Sequence, residues 1–159
     1  MRLLLLATLL FMVSASSDHG IRVYKKYEDF SALLHKNNDT TYVVNFWATW
    51  CKPCVEELPY FDQLAEKHKG EKVKVLLVSM DFADQVKGRL KPFIKKKKVQ
   101  SEVVVFDAPK PNEWIPKIDE KWSGAIPATY IYRGKEHSFY ERSFDYETLE
   151  SVVQPFLKK

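Results

Sequence analysis

Apolar and polar positions along this chain fall into two alternating kinds of run. Thr41–Ala48 (TYVVNFWA), Lys72–Met80 (KVKVLLVSM) and Ser101–Asp107 (SEVVVFD) are β-branched, aromatic and apolar almost throughout, which predicts central strands buried on both faces. The segments between them carry helical spacing instead. In Cys51–Gly70 the apolar residues Leu58, Phe61, Leu64 and Ala65 predict one face of a helix, stopped by Gly70 and kinked at Pro59. Asp81–Lys98 reads as a second helix.

The ends of the chain complete the pattern. Residues 21–38 predict a short strand and then an amphipathic helix, with Phe30, Leu33 and Leu34 on one face and Asn37-Asn38 at its end. Residues 108–124 hold three of the eight prolines and two of the four tryptophans, so they read as a packed loop with one helical turn. Residues 127–142 alternate on either side of Arg133-Gly134, a hairpin. Asp145 stands as N-cap of an amphipathic helix that closes the chain. Strands alternating with helices, then a hairpin and a helix, predict an α/β sandwich whose central sheet is parallel in its first part, antiparallel at one edge and covered on both faces. No internal repeat is visible, and 159 residues with 45% hydrophobic content suffice for one core.

The first residues change the compartment in which that domain is read. Arg2, an apolar run from Leu3 to Val13 and the small residues Ser14-Ala15-Ser16 are the features of a secretory signal peptide. The run is shorter than the ~20 residues that span a bilayer. Residues 1–15 are therefore expected to be removed after Ala15, leaving a soluble exported domain over 16–159. Charge adds little: 25 basic against 21 acidic residues is too small and scattered an excess to imply nucleic acid.

Export sharpens the question of the two cysteines, Cys51 and Cys54, which lie in the stretch FWATWCKPCVEELP. In an oxidising compartment a cysteine pair is usually a staple. A disulfide enclosing only two residues removes little entropy from the unfolded chain, so redox chemistry is the better explanation. Strand, short turn, Cys51-Lys52-Pro53-Cys54 and helix put Cys51 at a helix N-terminus, where free N–H groups and the macrodipole favour a thiolate; Lys52 acts in the same direction. Cys54, one turn further in, is placed to resolve a mixed disulfide on Cys51. Pro53 suits a first turn because its missing N–H would be unpaired there.

FWATWCKPC resembles the active site of the thioredoxin superfamily, and CKPCVEELP, with Glu57 and Pro59 beyond the second cysteine, is similar to the exported TlpA/ResA-like thiol-disulfide oxidoreductases. With Trp50 before the first cysteine and GAIPATYIY before a hairpin, the resemblance covers the chain from about residue 21 onward. It implies a thioredoxin-like three-layer sandwich, with a central mixed sheet flanked by helices. It also implies that Ile126-Pro127 is the cis proline facing the active site, with Trp50, Lys52, Pro53, Ile126 and Pro127 in contact with an extended substrate. The thioredoxin buried carboxylate is replaced here by Asn45, which cannot accept a proton from the resolving cysteine. The substitute is Glu57, three residues beyond Cys54 on one helix face, with a raised pKa if partly buried; a solvated first-turn carboxylate is the alternative. Glu56 is read as the solvated neighbour.

The remaining candidates are weaker. His19, His35, His68 and His137 are dispersed, and none joins the cysteines at zinc-ligand spacing, so no metal is expected and no cofactor beyond the Cys51–Cys54 couple. Ile94–Val99 (IKKKKV) is read as a solvated helix end rather than a site for an anionic surface. Trp114 and Trp122 read as packing, and Asp81 as either a tuner of the pocket's field or part of a helix cap. The expected function is exported reduction of protein disulfides. The resemblance also implies an integral-membrane thiol carrier as electron donor. A thiol oxidase or isomerase of the same fold, or a non-catalytic binding module, are the other readings; a peroxidase lacks an isolated peroxidatic cysteine with an activating arginine motif.

Overall fold

A computed structural model describes residues 20–157. The signal-peptide segment 1–15 and His19 lie outside the described residues. Thirteen elements follow in chain order. Strand β1 (Arg22–Tyr24) and helix α1 (Tyr27–Ser31) precede strand β2 (Thr41–Trp47) and helix α2 (Lys52–Lys67). Strand β3 (Val73–Ser79) leads to a 3₁₀ turn (Ala83–Gln85), a π turn (Val86–Leu90) and helix α3 (Lys91–Lys97). Strand β4 (Glu102–Phe106), helix α4 (Pro111–Ile118), strands β5 (Ala128–Arg133) and β6 (Glu136–Tyr140) and helix α5 (Tyr146–Leu157) complete the chain.

The six strands form one sheet in the order β1-β4-β3-β2-β5-β6. The β1–β4, β3–β4 and β2–β3 pairs are parallel, whereas β2–β5 and β5–β6 are antiparallel. Alternation along β2 divides the core. Val43 and Trp47 pack with Leu58, Phe61 and Leu64 of α2 and Leu149 and Val153 of α5, while Val44 and Phe46 pack on the other face with Phe30 of α1 and Trp114 of α4. Every residue of β2 is buried, because both faces of this central strand are covered. Trp114 and Trp122 are part of the second core: their ring centres are 5.9 Å apart, and the Phe46 ring lies tilted against Trp122 at 4.7 Å.

Three stretches depart from their sequence pattern. Helix α1 ends at Ser31, before Leu33 and Leu34, where the Ser31 hydroxyl donates to the Glu28 carbonyl and competes with the helical backbone donors. Residues 81–98 are not one helix. Pro92 lacks the N–H that would bond to Gly88, and the chain widens ahead of it, the Lys91 N–H reaching back five residues to the Val86 carbonyl. Residues 111–118, expected as a loop with one turn, form a full eight-residue helix, since Pro111 occupies a first-turn position where no N–H is needed and Trp114 and Ile118 bury one face. Helix α2 runs continuously through Pro59, and Asp145 Oδ1 accepts the Thr148 N–H at 2.8 Å as the expected cap of α5.

Candidate active site

Strands β2 and β3 end side by side, the Met80 N–H donating to the Trp47 carbonyl at 2.7 Å, and the chain leaves β2 in a turn over Ala48–Trp50. Asp81, fully buried, holds that turn. Its carboxylate accepts the Thr49 N–H at 3.0 Å, the Thr49 hydroxyl at 2.6 Å and the Ser79 hydroxyl at 2.8 Å. The helix-cap expectation for Asp81 is therefore replaced by a turn-fastening one: Phe82, not Asp81, precedes the 3₁₀ turn, and the turn's first N–H, on Ala83, is accepted by Asp107 Oδ2 at 3.0 Å.

The turn delivers Cys51 to the start of α2. Cys51 is the N-cap, in extended conformation, and its Sγ accepts the Cys54 N–H at 3.4 Å. A cap position normally holds an oxygen that satisfies a free helical donor. Here sulfur takes that place, so a thiolate at Cys51 would meet both an N–H group and the positive end of the helix. Cys51 and Cys54 are joined in a disulfide with their Cα atoms 5.3 Å apart. Cys51 is 6% exposed and Cys54 not at all, so the first sulfur is the one reached from outside. The Ile126–Pro127 peptide bond is cis, and the Ile126 carbonyl oxygen lies 3.8 Å from Cys51 Sγ.

Glu57 lies one turn beyond Cys54 and is only 1% exposed. Its Oε1 accepts from Asn45 Nδ2 at 2.8 Å and its Oε2 from the Phe144 N–H at 2.8 Å. Burial pushes its carboxyl up to about 7, against the opposing pull of the Phe144 and Asn45 donors. The solvated alternative for Glu57 does not hold. Glu56 is exposed and pairs with Lys52 Nζ at 3.9 Å, which draws the lysine toward solvent on the helix surface.

Of the other expected contact residues, Trp50, Lys52 and Pro53 flank the cysteines in sequence while Ile126 and Pro127 come from the segment before β5, and they differ in exposure. Trp50 is 58% exposed and Pro53 is exposed, whereas Pro127 is buried and Ile126 half-buried. The Phe144 N–H on Glu57 comes from a segment 87 positions away, and no local pattern foretells it. The role of Asn45 was half legible: its lack of a carboxylate stands out in sequence, its amide bond to Glu57 does not. Lys95, Lys96, Lys97 and Lys98 are exposed. Among the described residues no group of three or more His, Cys, Asp or Glu is arranged to hold a metal ion, and no helix is long and apolar enough to cross a membrane.

A family model described as the AhpC/TSA family matches residues 25–136. The chain belongs to this family. Among curated relatives, the thiol-disulfide oxidoreductase ResA of Bacillus cereus (strain ZK / E33L) is 36% identical over 62 residues, which are 39% of this chain and 34% of that protein. The chain thus spans about a third of the length of that relative. Among solved structures, StoA from Bacillus subtilis superposes with a TM-score of 0.57 at 23% identity, over 74% of this chain and 84% of its own. A thioredoxin-related protein from Neisseria meningitidis serogroup B does so with a TM-score of 0.64 at 21% identity, over 75% of this chain and 86% of its own. The fold of this AhpC/TSA member is accordingly thioredoxin-like: a mixed six-stranded sheet with flanking helices.

Proposed function

We propose that this protein is an exported thiol-disulfide oxidoreductase that reduces protein disulfides through the Cys51/Cys54 couple. The observation that carries the reading is the asymmetry of the pair: Cys51 caps a helix with its sulfur receiving an N–H, while Cys54 is fully buried. In the dithiol form the Cys51 thiolate attacks a substrate disulfide, forming a mixed disulfide and releasing one substrate sulfur. The Cys54 thiol passes its proton to Glu57, and the resulting thiolate attacks Cys51 Sγ. The second substrate sulfur leaves, the Cys51–Cys54 disulfide closes, and two electrons have moved to the substrate.

Trp50, Lys52 and Pro53 on one side and Ile126 and Pro127 on the other are the residues that contact the substrate. An extended peptide lying along the Ile126 carbonyl would present its sulfur to Cys51, in the manner of strand addition. The couple itself is the only redox group the reaction needs. The cycle closes only if a donor returns the disulfide to the dithiol, and a membrane thiol carrier suits a protein exported by its N-terminal leader. Relatives named thiol-disulfide oxidoreductase support the chemistry.

Equilibration of the purified protein with glutathione buffers tests the direction. A reduction potential near that of thioredoxin, about −270 mV, is expected for a reductase, and one near about −120 mV would make the protein an oxidase.

A further inference from the structure

The bond between Asn45 and Glu57 has an unfilled counterpart. Asn45 is fully buried on β2, facing helix α2. Its nitrogen donates twice, to Glu57 Oε1 at 2.8 Å and to Thr129 Oγ1 at 3.2 Å, and Thr129 stands directly opposite it on β5, two residues past Pro127. Its Oδ1, equally buried, has no hydrogen-bond partner. Buried polar atoms are rarely left unpaired, and one beside a titrating acid asks for a state in which it is used.

Glu57 supplies that state. When ionised it can only accept, and the observed arrangement gives it two donors. When protonated it must donate from one oxygen. Oε2 faces the Phe144 N–H, fixed in the backbone, so the proton belongs on Oε1, where it would meet the Asn45 nitrogen donor to donor. Turning the carboxamide by half a revolution about Cβ–Cγ removes that conflict at Glu57 and carries the amide nitrogen to the place Oδ1 had held. Oδ1 then accepts from Glu57, and the Thr129 hydroxyl, able to donate as well as accept, follows by rotating its hydrogen.

We propose that Asn45 is the positioning residue for Glu57, offering nitrogen to the carboxylate and oxygen to the acid, with its amide turning over on the Thr129 hydroxyl whenever the proton arrives or leaves. The proposal deepens the reading that Glu57 takes the Cys54 proton, because the amide would let one buried acid be satisfied in both halves of the exchange cycle. The other groups around Glu57 cannot do this. On its own helix Cys54 is tied in the disulfide. On the segment leading to α5, Glu141 binds Ser123, the Arg142 guanidinium lies 4.8 Å from the Phe144 ring centre, and Asp145 caps Thr148.

An NMR titration of the oxidised full chain, carrying ¹³C-carboxyl glutamate and ¹⁵N side-chain amides, tests this without any substrate. The Asn45 amide signals should shift with the same midpoint as the Glu57 carboxyl, assigned by its loss in Glu57→Gln. The contact between the Asn45 amide protons and the Thr129 methyl should fade below that midpoint, and Glu57→Gln should abolish the titration of Asn45. Asn45 signals unchanged through the midpoint, or a contact between the Asn45 amide protons and the Thr129 methyl that persists below it, would overturn the proposal. A chain inactive in thiol exchange would sink the proposed function while leaving this titration to be read.

Discussion

Thr49 is bound to Asp81 twice, through its backbone N–H at 3.0 Å and its hydroxyl at 2.6 Å, and this pair fixes the turn that carries Cys51 to its helix. Asp81→Ala would leave the Thr49 and Ser79 donors without their buried acceptor. We expect a loss of about 1–3 kcal/mol in urea-induced unfolding, together with slower thiol exchange in the folded protein. Asp81→Asn, which keeps one acceptor oxygen, should recover part of both. Exchange at the wild-type rate in Asp81→Ala would mean that the turn holds itself.

Glu57 should make stability depend on pH in a definite sense. Its folded midpoint of about 7 lies above the ordinary 4.5, so between these values the folded protein binds more protons than the unfolded chain. Stability contributed by the protonated carboxyl is complete below pH 4.5 and declines as pH rises through 7. The decline should total about 3 kcal/mol and be absent from Glu57→Gln, measured as the difference between the two proteins' unfolding free energies across the window. The same variant should slow exchange and lose the wild-type pH profile. Parallel stability curves for the two proteins would contradict the burial of an ionisable Glu57.

Glu150 joins α2 to α5 by accepting from Lys67 at 2.9 Å and meeting His68 Nε2 at 3.2 Å. The His68 ring is 6% exposed and its other nitrogen lies 2.7 Å from Glu71. Glu150→Ala would strip a buried ring nitrogen of its partner, and we expect a loss of about 1–3 kcal/mol in unfolding experiments. Exchange by the folded molecules should be unchanged, since none of these groups bonds to the disulfide. A fall in exchange rate per folded molecule would show that the junction reaches the site.

The parts of this structure legible in the sequence are those written in short-range pattern. Buried strands announce themselves by unbroken apolar runs, as in β2, and the position of Cys51 follows from strand, turn and helix read in order. Helix α4 was hidden because Pro111 and Pro116 read as loop residues, although one sits where a helix has no use for an N–H. The break at residues 86–90 depends on Pro92 acting one turn ahead of itself. Asp81 meets Thr49, and separately Asn45 and the Phe144 amide meet at Glu57, through sheet register and the return of the chain before α5, which no local spacing encodes.

The division of labour between the cysteines is open to direct trial by trapping. With Cys54→Ser, a mixed disulfide formed at Cys51 cannot be resolved, so the protein incubated with a disulfide-bonded substrate should accumulate as a covalent complex released by dithiothreitol. Cys51→Ser, which leaves only the buried Cys54, should accumulate almost none. Equal trapping by the two variants, or none by either, would contradict an exchange reaction that begins at Cys51 and ends at Cys54.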